Sequence, residues 1–357
     1  MKLFCMAGGG TGGHVIPALA VARELRARGH EVYFVGTERG VENRLVPAED
    51  FPIEHVDLGG LKNVSVLTRL TSLWGLLRST VAQYIRFNRR RPDAVFSMGG
   101  YVAGPPVIAA ALQKVPLVIM EPNAVPGFTN RHIARWVSRA LVSFPETQRF
   151  FPAGRSEVTG RPVRDEFFAI EPKPVEPILT VLITGGSQGS RSLNIASRDS
   201  WPSFKSAGLP VRIIHQSGPA MFDELRRDFS VSGLDGEISA FISDMPAAFA
   251  SADLIICRSG GTVSEIAAAG KPSIMIPFPF AADQHQLRNA QAFERAGACR
   301  MFLDKDWNGA QMFKVVSELA SDRPQLARMG EAARKLAIPG AARRAADVLL
   351  EVAQTAA

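Results

Sequence analysis

The chain has 357 residues, 46% hydrophobic and 21% charged, enough for two domains with separate cores and too apolar for disorder to dominate. No apolar run approaches the roughly 18 residues of a spanning helix, and the apolar stretch from Leu3 to Ala7 meets Gly8-Gly9-Gly10 too soon for a secretory leader. The net charge of +7 is uneven: residues 1–160 hold 19 Lys and Arg against 12 Asp and Glu, and residues 161–357 hold 22 of each. A place inside the cell is expected. Cys5, Cys257 and Cys299 are odd in number, far apart and without a C-x-x-C pair, so they read as buried thiols and encode neither a disulfide framework nor structural zinc.

In chain order, Lys2 to Ala7 is a short apolar run ending in glycines. Val15 to Arg28 has apolar positions at helical spacing, stopped by Gly29, and Glu31 to Val35 is the next strand. From Leu67 onward, Leu67, Leu70, Trp74, Leu77, Val81 and Tyr84 form a helical stripe predicted to pack on the first domain, with Leu73 and Leu76 off it. The surrounding segment Leu61–Arg91 carries seven basic residues (Lys62, Arg69, Arg78, Arg86, Arg89, Arg90, Arg91) and no acidic one. A basic face with apolar residues suits an anionic bilayer surface. Nucleic-acid binding is the weaker reading, because no recognition motif accompanies the charge.

Further on, Ala94 to Phe96, Leu117 to Met120 and Ala140 to Val142 alternate with helical stretches, predicting a parallel sheet covered on both faces. A stretch with Pro162, Pro172, Pro174 and Pro177 marks the interdomain linker. Beyond it, Leu179 to Thr184 runs into Gly185-Gly186-Ser187-Gln188-Gly189, and Val211 to Ile214, Glu237 to Phe241, Leu254 to Cys257 and Ser273 to Ile276 continue a second set of strands. Two similar α/β halves are expected, 1–160 and 161–339, with a last helix at about 340–357 packing back on the first. Ligands of doubly wound sheets bind outside the carboxyl ends of the strands, where both glycine loops lie, so the site is expected in the cleft where the halves face each other.

Gly8-Gly9-Gly10-Thr11-Gly12-Gly13-His14 contains G-x-G-x-x-G after a strand and before a helix, which formally invites a dinucleotide. The acid that should hold the ribose has Glu38 as its only nearby candidate, followed at once by Arg39, and this weakens the dehydrogenase reading. Five glycines in six positions exceed what a tight turn requires and suggest something bulky against the backbone. His14, in the first helical turn, reads equally as a general base or as a loop-shaping hydrogen-bonding residue. Arg258-Ser259-Gly260-Gly261-Thr262 opens the helix Val263 to Ala269, a place where free N–H groups and the helix dipole can hold a diphosphate. Glu265 stands three residues after Thr262, a spacing that fits either a capping box or a carboxylate accepting hydrogen bonds from a ribose diol. Asp283-Gln284-His285-Gln286 with Asn289 reads as a sugar-binding edge or a plain polar helix start. Asp304-Lys305-Asp306 reads as a solvated turn, and no metal is expected.

The motif set resembles one family. Gly8 to His14 with Pro17-Ala18, Met98-Gly99-Gly100-Tyr101-Val102-Ala103-Gly104-Pro105, Glu121-Pro122-Asn123-Ala124-Val125-Pro126-Gly127, Thr159-Gly160-Arg161-Pro162-Val163-Arg164, Gly185 to Gly189, and Cys257 to Glu265 are similar, in order, to the MurG family of bacterial N-acetylglucosaminyltransferases. The resemblance implies a GT-B fold, two Rossmann-like domains facing a cleft, and an inverting, metal-independent transfer of N-acetylglucosamine from UDP-N-acetylglucosamine to lipid I, giving lipid II. It implies His14 as the catalytic base and Ile242 as the residue whose backbone meets uracil. Glu265 becomes the ribose ligand, with Ser187, Gly261, Thr262, Val263 and Ser264 as the diphosphate cradle. Asn123, Arg164 and Gln286 become contacts to the donor sugar or diphosphate, with Thr11, Gly12 and Gly13 closing from the opposite domain. No cofactor is implied. Expected partners are UDP-N-acetylglucosamine, lipid I, an anionic membrane surface through Leu61–Arg91, and cell-wall synthesis and division proteins, at the cytoplasmic face of the plasma membrane. The chain departs from the family pattern in a Ser-Gly-Gly-Thr-Val turn one residue shorter than the Ser-Gly-Ala-Leu-Thr-Val form of some relatives, and in Pro122 where glutamine is common. A non-catalytic sugar-nucleotide binder is the rival that could dispense with His14.

Overall fold

The computed structural model describes residues 1–56, 58 and 66–355, with the backbone alone over 66–73. The chain forms two compact units, Met1–Val163 with Ile338–Ala357, and Arg164–Ala337. In the first, seven strands form one all-parallel sheet: β1 (Leu3–Ala7), β2 (Glu31–Gly36), β3 (Ile53–His55), β4 (Ala94–Ser97), β5 (Leu117–Glu121), β6 (Arg139–Val142) and β7 (Ser156–Val158), in the order β3-β2-β1-β4-β5-β6-β7. Strands buried on both faces read as continuous apolar runs. Phe4 and Met6 of β1 face one core, with the helix Gly12–Ala27 and the last helix, Ala341–Thr355, whose Ala345, Val348 and Leu349 are fully buried. Cys5 and Ala7 face the other, with Phe87, Val102 and Val107. Arg344 ties the last helix to β7 by a forked pair with Glu157, at 2.7 and 2.8 Å.

In the second unit, β8 (Leu179–Thr184), β9 (Val211–Gln216), β10 (Asp235–Ser239), β11 (Leu254–Cys257), β12 (Ser273–Met275) and β13 (Cys299–Met301) pair in parallel in the order β10-β9-β8-β11-β12-β13. The proline-rich stretch does not stay a bare linker. Asp165–Phe168 is a helix whose Phe167 packs edge-on against Phe249 with ring centroids 5.0 Å apart, and Arg334 donates to the carbonyls of Phe168 and Ile170. The three cysteines are free and buried, and burial pushes the Cys257 thiol up to about 12.

The polarity of the helix Val66–Arg89 is the reverse of the expected one. Trp74, Leu77 and Val81 are 69%, 53% and 58% exposed, and Tyr84 and Ile85 also face outward. The inward face is Ser79, Thr80, Gln83 and Phe87, packed toward the helix Gly104–Leu112. The two helices approach closely there: a Cβ on Gly104 would stand 3.3 Å from Leu76 Cδ1. The side chains of Leu67, Arg69, Leu70 and Leu73, and the whole of Lys62, lie outside the described residues. Nor is the basic segment wholly unopposed, since Arg86 reaches Glu54 at 3.7 Å and Arg90 pairs with Glu31.

In β9, the buried imidazole of His215 hydrogen-bonds Asn194 Oδ1 through Nε2 at 2.9 Å, and burial lowers its pKa to about 3. The folded chain therefore keeps this ring neutral, while the unfolded chain protonates it below about 6.5, so its stabilising effect is lost as pH falls from about 6.5 toward 3. Between pH 7 and pH 5 this group should remove about 2 kcal/mol of stability. Urea unfolding of wild type and His215→Leu at both pH values tests it; equal losses in the two proteins would refute the assignment.

Candidate functional site

In each sheet the strand order reverses at one point, between β1 and β4 in the first unit and between β8 and β11 in the second, and a glycine loop leaves each of these four strands. Such reversal points are where α/β sheets bind ligands.

On the first unit, Thr11 takes extended backbone angles as N-cap of the helix Gly12–Ala27, and His14 is its third residue, with Nδ1 3.2 Å from Thr11 Oγ1. The loop after β4 has Gly99 and Gly100 at φ +77° and +80°, and a Cβ on Gly100 would stand 3.4 Å from His14 Cε1, so the bare backbone there makes room for the imidazole. Thr129 Oγ1 donates to the Gly100 carbonyl at 3.0 Å, drawing in the loop after β5. Buried Glu121, the last residue of β5, accepts from Asn123 N–H (3.0 Å), Asn123 Nδ2 (2.9 Å), Gly127 N–H (3.0 Å) and Asn130 Nδ2 (2.9 Å). Burial raises the Glu121 pKa, and those donors oppose the rise.

Sequence reasoning assigned no role to Arg161, yet a signal was there. Pro17 sits inside the first helix and has no N–H, so it cannot bond the carbonyl of Gly13 four residues back. Arg161 Nη2 donates to that carbonyl at 2.8 Å instead. Its motif is thereby tied to the glycine loop.

On the second unit, the loops at Gly189 and Gly218 cross so closely that a Cβ on either would run into the other loop's backbone. That crossing holds the loop Gly185–Gly189, from which Ser187 is exposed. Gln216 braces it from below, donating to the Gly186 carbonyl at 2.9 Å and accepting the Ile242 N–H at 2.9 Å. The Ile242 backbone is thus fixed, with its N–H already engaged. At the next loop the helix is Thr262–Ala269 with Gly261 as N-cap. Val263 and Ser264 N–H make long turn bonds, 3.3 and 3.2 Å, to Gly260 and Gly261 carbonyls; those of Gly261 and Thr262 make no backbone bond among the described residues. This register also puts Glu265 one position beyond the third helical residue, where a capping-box carboxylate belongs. Gln286 and Ser259 join neighbouring elements, Ser259 Oγ donating to the Gln286 carbonyl at 2.8 Å and Gln286 Oε1 accepting the Phe278 N–H at 3.0 Å. Just before Gln286, Asp283 and Gln284 hold φ of +51° and +52°, left-handed values that cost non-glycine residues energy and recur at ligand sites. Arg164 is exposed, its guanidinium 5.2 Å from the Phe167 ring centre.

Asp304 is not the solvated turn residue expected. It pairs with Arg258 at 2.6 Å and accepts from Ser192 Oγ at 2.6 Å, while Arg258 also donates to Ser190 Oγ and Ser192 Oγ. This network joins the loop after β11 to the start of the helix Arg191–Ser206.

Paired glycine loops at the switch points of two parallel α/β units, one backed by a helix start suited to a diphosphate, define a nucleotide-sugar glycosyltransferase of GT-B type. The sequence matches the glycosyltransferase family 28 N-terminal domain over residues 4–142 and the family 28 C-terminal domain over residues 180–345. It is 62% identical to the UDP-N-acetylglucosamine–N-acetylmuramyl-(pentapeptide) pyrophosphoryl-undecaprenol N-acetylglucosamine transferase of Solibacter usitatus, over 98% of this chain and 96% of that protein. It is 42% identical to the enzyme of the same name from Halorhodospira halophila, over 99% of each. The crystal structure of Acinetobacter baumannii MurG superposes with a TM-score of 0.83 at 33% identity, covering 98% of this chain and 100% of that one. A calicheamicin glycosyltransferase, at TM-score 0.70 and 18% identity over 99% and 98% of the chains, shares the fold. The chain belongs to glycosyltransferase family 28 and, within it, to the MurG transferases.

Proposed function

We propose that this chain moves N-acetylglucosamine from UDP-N-acetylglucosamine to the 4-hydroxyl of the N-acetylmuramyl group of lipid I, with inversion at C1, giving lipid II. The observation that carries the reading is near full-length identity of 62% to a transferase of that name. The direct test is transfer of radiolabelled N-acetylglucosamine to a lipid I analogue. A folded protein that binds UDP-N-acetylglucosamine and transfers nothing would be the non-catalytic binder.

The donor role falls to Arg164–Ala337, through Ser187, Ile242, Gly261 to Glu265 and Gln286, with Arg164 toward the sugar diphosphate; Asn123, Thr11, Gly12 and Gly13 are proposed as further donor contacts. As the C1–oxygen bond breaks, negative charge builds on the diphosphate, and the amides and dipole where the helix Thr262–Ala269 begins are suited to stabilise it. The acceptor role falls to the first unit. In the tautomer that donates Nδ1–H to Thr11 Oγ1, 3.2 Å away, the lone pair of His14 stands on Nε2, where it can take the hydroxyl proton.

Glu265 separates ribose binding from helix capping. Glu265→Ala should weaken UDP-N-acetylglucosamine binding by about 1 to 3 kcal/mol, the cost of losing a carboxylate acceptor. Calorimetry and thermal unfolding check it together: unchanged affinity with a lowered Tm would hand Glu265 to the fold.

No helix among the described residues is long and apolar enough to cross a membrane. We read Leu61–Arg91 as docking the first unit on the anionic inner face of the plasma membrane, where a lipid-linked acceptor resides. The outward Trp74, Leu77, Val81 and Ile85, beside exposed Arg78 and Arg89, support that reading.

A further inference from the structure

We propose that Glu42 is the positioning residue of the first glycine loop and, through it, of His14. Glu42 opens the four-residue helix Glu42–Leu45 beyond β2, and its side chain is fully buried, 0% exposed. One carboxylate oxygen accepts the Thr37 N–H and the Thr37 hydroxyl, each at 2.9 Å, and the other accepts the Gly10 N–H at 2.7 Å. Burying a carboxylate is unfavourable unless such donors satisfy it, and three glycines make room for this one. A Cβ on Gly9, Gly36 or Gly40 would overlap the Glu42 side chain. Part of the glycine surplus in the first loop thus serves an internal carboxylate, and the Gly10 N–H that a bound pyrophosphate would use is already taken.

The bond to Gly10 comes one residue before the Thr11 N-cap, with Gly10 itself at φ +83°. Glu42 therefore sets the angle at which the loop delivers Thr11 and His14. The inference rests on the reading of His14 as the base.

Glu42→Gln tests it. The amide keeps the volume and can still offer its oxygen to Thr37, but it turns an NH2 toward the Gly10 N–H, so the anchor on the loop is lost. Turnover should fall about tenfold or more, as small misplacements of a catalytic group do, while KM for UDP-N-acetylglucosamine changes less than about twofold and Tm falls by no more than about 5 °C. In a His14→Ala background the same change should cost less than about threefold, because residues acting as a unit are not additive. Unchanged turnover, or a donor KM that worsens in step with turnover and Tm, overturns the proposal. If the variant does not fold, amide exchange in the wild type decides: Gly10 N–H should exchange at least about tenfold more slowly than Gly12 and Gly13 N–H, and equal rates overturn it. Should His14→Ala keep its turnover, the base reading falls and the positioning of His14 falls with it, and Glu42's hold on the glycine loop is then judged on the exchange rates alone.

Discussion

His14→Ala should lower kcat by about a hundredfold or more, the usual worth of a positioned general base, while the dissociation constant for UDP-N-acetylglucosamine stays within about twofold. The separation follows from where the groups stand. The proposed diphosphate cradle around Gly261 and Thr262 belongs to Arg164–Ala337, and His14 to the other unit, so removing the imidazole leaves most of the proposed donor contacts in place. Turnover should persist in EDTA, because the charge on the leaving diphosphate is assigned to helix amides. A variant that keeps most of its turnover would move the base elsewhere. A collapse on chelation would call for a cation on the diphosphate.

The parts of this site that were legible in the sequence are those whose chemistry forces unusual composition. Backbone that must lie open to a ligand uses glycine, so the loops after β1, β4, β8 and β11 announce themselves, and short apolar runs before each give the strands. β3, β7 and β13 escaped notice because three residues such as Ile-Glu-His or Ser-Glu-Val are too few for any period to show. Glu42 was illegible for a different reason. A single glutamate in a polar stretch looks like surface, and only the distant glycines at 9, 36 and 40 reveal that it is inside; the exposed Glu38 drew attention instead. Asp304 was misread as solvated because its partner, Arg258, lies 46 residues away in sequence. The helix Val66–Arg89 shows the limit of amphipathic patterning: spacing locates an apolar stripe but not what covers it, and the stripe was assigned to the core when Ser79, Thr80 and Gln83 occupy that face.

That reversal supports the membrane prediction, since the exposed apolar residues Trp74, Leu77, Val81 and Ile85 share their outward face with exposed Arg78 and Arg89. Vesicle cosedimentation with anionic lipid should show binding that weakens with added salt, as interactions at a charged surface are screened. Changing Arg69, Arg78 and Arg86 together to Glu should weaken that binding by a factor of about 100 or more, because each basic side chain near an anionic surface contributes about 1 kcal/mol and reversal adds repulsion. Arg86 also reaches Glu54 at 3.7 Å, an exposed pair whose loss matters little to the fold. Trp74→Ser with Leu77→Ser and Val81→Ser should weaken binding at high salt as well as low, because burial of apolar surface in the bilayer is not screened. Neither triple variant touches the glycine loops, so transfer to a water-soluble acceptor analogue should remain near the wild-type rate, while transfer to lipid I in vesicles falls. Equal vesicle binding by the charge-reversed protein would sink the docking assignment, and preserved binding to nucleic acid in place of vesicles would give the basic segment to a different partner.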